Sequence, residues 1–248
     1  MSRLEASAGP AGSAEGHLRP AGPQPAAAPT ATGGEVRLMA RVRRRWQGLM
    51  RQACQYSSVP VEFLAALTAN ESRGDPRAVR FEPAVYRHLK RVAEGSAAHY
   101  GSLSRGQLAA EIADILHPKS EAFHAAFLTD AFAAGHGAEL AAACDDALRE
   151  LASSWGLAQI MGYHMVGRPG TVRDLVEPRL HFRLTLELLA EFAQRYQLDL
   201  AREFAEMFRC WNTGQPYGAT TDPAYVEKGL RRMEIYRAIE GSGGGGTE

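Results

Sequence analysis

Residues 60–74 read PVEFLAALTANESRG, an apolar run that breaks off in Asn70, Glu71, Ser72 and Arg73 before a glycine. Pro60 suits a first helical turn, with Ser57 and Ser58 ahead of it as N-caps, so the stretch reads as a helix over 60–72. Leu64, Leu67 and Thr68 precede Glu71 by seven, four and three residues, which puts its carboxylate on the same face as the apolar side chains. A carboxyl on a core-facing stripe, at the C-terminal end of a helix, is expected to hold its proton tightly. Desolvation disfavours the charge, and the negative end of the helix dipole disfavours it further. Such a group is a candidate general acid. Taken alone, the same residue reads more readily as a surface glutamate of ordinary acidity.

Helical spacing recurs on both sides of this stretch, and strand alternation does not. Val36, Met39, Val42, Trp46, Leu49, Met50 and Ala53 form a stripe over 35–56, with Arg41, Arg43, Arg44 and Arg45 on its solvated face. Further helices are expected over 104–117, 119–134 (broken from the last near Pro118), 138–153, 172–196, 199–210 and about 223–239, the final one capped by Asp222 and started by Pro223. Loops rich in Gly and Pro fall at 73–83, 162–170 and 212–221, with one short β-hairpin expected around 76–82. The expected fold class is all-α, or nearly so.

The chain has 248 residues, 45% of them hydrophobic, enough for one sizeable core. Its 28 basic and 28 acidic residues cancel, which argues against a nucleic-acid partner. Cys54, Cys144 and Cys210 are distant and odd in number, so buried free thiols are expected rather than a disulfide framework or a zinc site. The eight histidines lack ligand spacing; His181 and His164 stand singly and are expected in surface or satisfied-core roles. No metal or cofactor is expected, and no phosphate-cradling glycine loop is present. Residues 1–34 are Ala-, Gly-, Pro- and Ser-rich and read as a disordered leader; residues 241–248 read as a flexible tail. The folded domain is expected over 35–240. No run reaches the roughly 18 apolar residues of a membrane span, and no secretory signal is recognisable.

Two more segments break the helical pattern. In Ser153-Ser154-Trp155-Gly156-Leu157-Ala158-Gln159-Ile160-Met161-Gly162, glycines flank an apolar run holding one Gln. Glycine admits a close ligand or a close backbone, Trp155 offers a flat face for a sugar, and Gln159 can hydrogen-bond a sugar amide. A tight packing joint fits the same residues equally well. In Cys210-Trp211-Asn212-Thr213-Gly214 and Asp222-Pro223-Ala224-Tyr225-Val226, Asn212 can fix a substrate amide and Tyr225 can donate to an acid or a sugar. A helix C-cap for Asn212 and plain core packing for Tyr225 are the alternatives.

Taken together and in this order, Glu71-Ser72, Gly156-Leu157-Ala158-Gln159-Ile160, Trp211-Asn212-Thr213-Gly214 and Tyr225-Val226 resemble the lysozyme-like superfamily. The resemblance is to soluble lytic transglycosylases and goose-type lysozymes. Phage-type N-acetylmuramidases of that superfamily are also similar, through Phe81-Glu82-Pro83-Ala84-Val85-Tyr86 and Ser154-Trp155-Gly156-Leu157-Ala158-Gln159-Ile160-Met161-Gly162. The resemblance covers roughly 55–240. Ala158 departs from the usual Met or Phe, Trp211 from Tyr, and Ala84 from His. Between Glu71 and Gln159 lie 87 residues, so 87–150 reads as a helical insertion, a candidate roof for the cleft.

The resemblance implies cleavage of the β-1,4 bond between N-acetylmuramic acid and N-acetylglucosamine in peptidoglycan, with Glu71 as catalytic acid. An inverting hydrolase needs a second carboxylate to activate water; Glu82 is the candidate, with Asp75 behind it and a salt bridge to Arg73 or Arg80 as the alternative role. A lytic transglycosylase needs none, since Glu71 then takes the proton of the sugar's own 6-hydroxyl. Ser72, Trp155, Gly156, Gln159, Met161, Asn212 and Tyr225 are the expected substrate-binding residues. The expected partner is the glycan strand, met as a monomer without membrane insertion. Action at the cell wall or periplasm is expected after release from the cytoplasm, as by an endolysin or a delivered antibacterial enzyme. A non-catalytic glycan-binding or scaffold module on the same fold is the other function class.

Overall fold

Thr32 opens the first helix: its hydroxyl accepts from the Glu35 amide at 3.3 Å, and Glu35 lies in the first turn, where the helix dipole favours an anion. Helix α1 (Gly33–Cys54) buries Leu38, Met39, Val42, Trp46, Met50 and Cys54, a stripe of helical period. The computed structural model describes residues 32–116 and 137–242. The expected helix at 119–134, the leader up to residue 31 and the end of the tail lie outside the described residues.

The described chain is mostly helical. After α1 come α2 (Val61–Glu71), β1 (Val79–Phe81), α3 (Pro83–Ala93), β2 (His99–Tyr100), β3 (Leu103–Ser104), α4 (Arg105–Leu116), α5 (Gly137–Leu151), β4 (Ser153–Trp155) and β5 (Ile160–Met161). Two short 3-10 turns at Gly162–Met165 and Val172–Val176 lead to α6 (Pro178–Tyr196), α7 (Phe204–Thr213) and α8 (Tyr225–Ser242). No helix among the described residues is long and apolar enough to cross a membrane.

Helix α2 sits at the centre, flanked by α1 and α8. Every residue from Phe63 to Ala69 is buried, so the stripe expected on one face is instead a helix enclosed on all sides. Alanines 65, 66 and 69 leave room for its neighbours to approach. On one side Leu64, Ala65 and Ala69 join the α1 stripe, Leu157, Phe182 and Tyr236. On the other, Phe63, Ala66 and Leu67 join Ala158, Leu189, Met207, Phe208, Tyr225 and Met233. A third core lies beneath α3, α4 and α5 and joins the inserted region to β5, the 3-10 turns and α6.

Several boundaries differ from the sequence reading, each for a local reason. Pro60 itself occupies the N-cap of α2, while the Ser57 hydroxyl accepts from the Val59 amide at 3.1 Å, so neither serine caps the helix. The expected helix 172–196 is two pieces, because Pro178 starts α6 and Glu177 caps it, accepting from the Leu180 amide at 2.7 Å. The helix expected at 199 begins at Phe204, after a turn in which the Asp199 carboxylate accepts from the Ala201 amide at 2.8 Å. The hairpin expected at 76–82 does not form. Residues 79–81 are a strand, but its antiparallel partner is β4, seventy-four residues on at the Arg80–Ser154 pair. The sheet order is β1-β4-β5, and the local hairpin is β4–β5. A second small hairpin, β2–β3, turns at Gly101 and Ser102; that Gly-Ser pair was the available signal for it.

Close packing of α8 on α7 depends on Gly229. A Cβ there would stand 2.6 Å from the Phe208 ring, which is fully buried and packed on Phe63 with centroids 4.5 Å apart. Gly229→Ala is therefore expected to cost about 1–3 kcal/mol of stability by overpacking. Urea unfolding measures this, and an unchanged midpoint would show that the ring can give way.

Candidate active site

Helix α2 delivers Glu71 as its last residue, and the chain then reverses sharply. The Ser72 amide closes the helix onto the Thr68 carbonyl at 3.2 Å, and Arg73 and Gly74 both adopt left-handed backbone. The Ser72 hydroxyl donates to the Leu157 carbonyl at 2.7 Å and accepts from the Gly74 amide at 3.2 Å. Trp46 of α1 donates its indole N–H to the Gly74 carbonyl at 3.1 Å. The end of α2 is thus anchored from two sides, and Glu71 is held half-buried between them.

The Glu71 carboxylate accepts a hydrogen bond from the phenol of Tyr225, the first residue of α8. Tyr225 is fixed by its ring, edge-on to Phe208 at 6.2 Å, and by its carbonyl, which accepts from the Asn70 side-chain amide at 3.1 Å. The pair opens into a cleft of about 1000 Å³. Arg80, Glu82, Ala84 and Val85 form one wall at the junction of β1 and α3. Asn212, Thr213, Ala219, Thr221 and Asp222 form the other. Glu82 pairs with Arg80 at 2.8 Å, the alternative role expected for it, while still facing the cleft. Lys228 beside Asp222, at 2.6 Å, holds that carboxyl below the usual carboxylate range.

Of the site residues expected from sequence, Glu71, Glu82, Asn212 and Tyr225 come together here. The others do not line the cleft among the described residues. Asp75 is occupied in a turn, accepting from the Arg77 amide at 2.9 Å. Gln159 is buried with its side chain committed: its oxygen accepts from Ser154 at 2.9 Å and its amide donates to the Ala78 and Gly156 carbonyls at 3.0 Å each. Trp155 donates to the Glu150 carbonyl at 3.0 Å and packs on the inserted region's core. Met161 is buried in that core, and Ser72 and Gly156 hold the scaffold. The 153–162 segment packs as the joint that the sequence also allowed, and its Gln159, Ile160 and Met161 border a separate small cavity with Trp211. No described residue of the insertion lines the cleft, so the expected roof is not formed by them. Asn212 lies inside α7, and Gly214 with φ 81° is the C-cap.

His181 takes the satisfied-core role, one of the two expected for it. Its ring meets the Leu175 carbonyl through Nδ1 at 2.8 Å and the Ala158 amide through Nε2 at 2.8 Å. A carbonyl only accepts and an amide N–H only donates, so the neutral ring must carry its proton on Nδ1. Gly156 makes this possible: with φ 72°, a Cβ there would lie 2.5 Å from the Leu175 carbonyl and 2.6 Å from the ring. Burial also raises the thiols of Cys54 to about 11 and Cys210 to about 12, which leaves them unreactive at neutral pH.

Comparison with protein-family models, with curated proteins and with solved structures gives no match to this chain.

Burial pushes His181 down to about 4. An unfolded histidine titrates near 6.5, so the unfolded chain gains the proton first as pH falls. The stabilisation by neutral His181 is complete above about 6.5 and is lost progressively down to about pH 4, amounting to about 3 kcal/mol. The stability difference between wild type and His181→Gln, taken from urea unfolding at each pH, is expected to shrink across that window. A difference that stays constant from pH 7 to 4 would remove His181 from this role.

Proposed function

We propose that this chain cleaves peptidoglycan glycan strands at the β-1,4 bond between N-acetylmuramic acid and N-acetylglucosamine, with Glu71 as the general acid. The observation that carries the reading is the Glu71–Tyr225 pair, built from opposite ends of the fold at the floor of a cleft large enough for several sugar units. The order of the sequence motifs supports it as well, through their resemblance to the lysozyme-like superfamily.

The protonated Glu71 carboxyl gives its proton to the glycosidic oxygen as the bond to the muramic-acid carbon breaks. The positive charge that develops on the ring is met by the carboxylate left behind. Tyr225, donating to that carboxylate, stabilises it once the proton has gone. Two completions keep the atoms balanced. In one, Glu71 takes the proton of the sugar's own 6-hydroxyl and O6 bonds to the anomeric carbon, giving an anhydro end. In the other, Glu82 takes a proton from water, whose oxygen bonds to that carbon, giving a reducing end. Glu82 lines the same cleft, paired with Arg80 at 2.8 Å. Asn212, on the facing wall, makes no side-chain hydrogen bond among the described residues and is placed to meet a substrate N-acetyl group. The reading puts the chain's action at the cell wall.

Digestion of purified peptidoglycan by wild type and by Glu71→Gln, with products identified by mass spectrometry, tests the proposal. Soluble muropeptides are expected from wild type, with Glu71→Gln slower by roughly a hundredfold to ten-thousandfold. Anhydro products assign the first completion; products heavier by one water assign the second. Equal release by both proteins, or none by either, would overturn the proposal in favour of a glycan-binding module.

A further inference from the structure

The Glu71–Tyr225 pair is backed by a partly buried polar chain that the reaction itself does not use. Behind it stands Arg232 of α8, largely buried, whose guanidinium donates to the Asn70 side-chain oxygen. Asn70 in turn donates its amide to the Tyr225 carbonyl at 3.1 Å. The direction of this chain is fixed. A guanidinium can only donate and a carbonyl can only accept, so the Asn70 amide has one permitted orientation. Asn70 is next to Glu71 at the end of α2, and Tyr225 is the first residue of α8, so the same amide ties the two elements that supply the pair.

Arg232 is itself held in place from α1. Glu35 lies 3.8 Å from its Nε, which has no hydrogen-bond partner, while Arg231 occupies the same carboxylate at 2.8 Å. The charged and titratable groups facing Arg232 include Glu35 from α1, Arg73 from the turn after α2, Asp222 from the loop before α8, and Arg231 and Tyr225 from its own helix. Burying a cation whose charge is this incompletely paired is costly. Simple adhesion of α2 to α8 would be served as well by apolar side chains, so the polar chain calls for another explanation.

We propose that Arg232 and Asn70 are positioning residues for the Glu71–Tyr225 pair: Arg232 locks the Asn70 amide, and Asn70 sets where the start of α8 presents the Tyr225 phenol to the carboxylate. This rests on the reading of Glu71 as the general acid. Neither residue is given a proton to carry; their effect passes through Tyr225.

The test compares wild type with Asn70→Ala, Arg232→Gln, Arg232→Lys, Tyr225→Phe and the Asn70→Ala/Tyr225→Phe double variant. Each is assayed on purified peptidoglycan from pH 4 to 9, with thermal unfolding alongside. Asn70→Ala and Arg232→Gln are expected to lower kcat roughly tenfold to hundredfold, as misplacement of a catalytic group does, with little change in KM. The alkaline limb of the rate profile, on which Glu71 must keep its proton, should move up by as much as about 1 pH unit, as it should in Tyr225→Phe, because the donor that favours the carboxylate is lost or misplaced. Arg232→Lys should recover part of the rate. The double variant should be no slower than Tyr225→Phe. Unmoved limbs together with additive losses would overturn the proposal and leave both residues as packing. A measurement without substrate separates this from the function itself: the 13C titration of the Glu71 carboxyl, assigned by its loss in Glu71→Gln. If wild type releases no muropeptides, the glycosidase reading fails. A Glu71 titration that moves in Asn70→Ala and Arg232→Gln still supports the positioning, and one that stays fixed overturns it. Should Asn70→Ala fail to fold, Arg232→Gln, which leaves Glu35 its Arg231 partner, carries the test.

Discussion

A buried loop must find partners for its main-chain N–H and C=O groups, and the 156–159 loop finds them from all over the molecule. The Gly156 amide goes to the Ala78 carbonyl at 2.8 Å, Leu157 offers its carbonyl to Ser72, Ala158 gives its amide to His181, and the Ala158 carbonyl takes the indole N–H of Trp211 at 2.9 Å. Four elements that are distant in sequence are thereby fixed to one short turn: the end of α2, the strand before α3, α6 and α7. Each of these bonds is modest by itself, but leaving any one of the buried groups unpaired costs more than the bond contributes. The constraint is therefore mutual. The loop cannot move without orphaning several groups, and the elements cannot move without the loop.

The placement of Glu71 follows from this. Ser72 is bound to Leu157, so the last turn of α2 is held to the loop immediately beside the carboxylate. The opposite restraint comes from α8, through Asn70 and Tyr225. A carboxylate held from both sides while facing a cleft is preorganised: little rearrangement is needed when charge moves onto or off it. The inserted region contributes at a distance, through a core that it shares with β5, the 3-10 turns and α6.

Much of this was legible in the sequence, and what was not has physical reasons. The helices were readable wherever one face meets water, as in α1. In α2 the run Phe63–Ala69 is buried throughout, so the stripe of Leu64, Leu67 and Thr68 that places Glu71 toward the core marks one side of a helix enclosed on every side. The β1 strand was readable as extended, but its partner lies beyond the insertion, and pairing over that separation leaves no local trace. Gln159 shows a different limit. A lone polar side chain between glycines fits a ligand-binding residue and a backbone staple equally well, and only the packing around it distinguishes the two. Nothing near His181 or Arg232 in the sequence announces their partners, because both act through main-chain or side-chain groups brought to them from other elements. Glu71, Glu82, Asn212 and Tyr225, named from motifs far apart in the chain, line one cleft, each where a helix begins or ends or on its last turn.

The separation of 154 residues between Glu71 and Tyr225 has a consequence for the order of events during synthesis. Chains emerge N-terminus first, and long-range contacts wait for the later segments. The carboxylate, its helix and even the loop that anchors it are all made before α8 exists. Until α8 docks, Glu71 is present without the phenol that fixes it. Docking of α8 is thus also assembly of the cleft, and a nascent chain that has not yet made α8 carries Glu71 without the phenol paired with it.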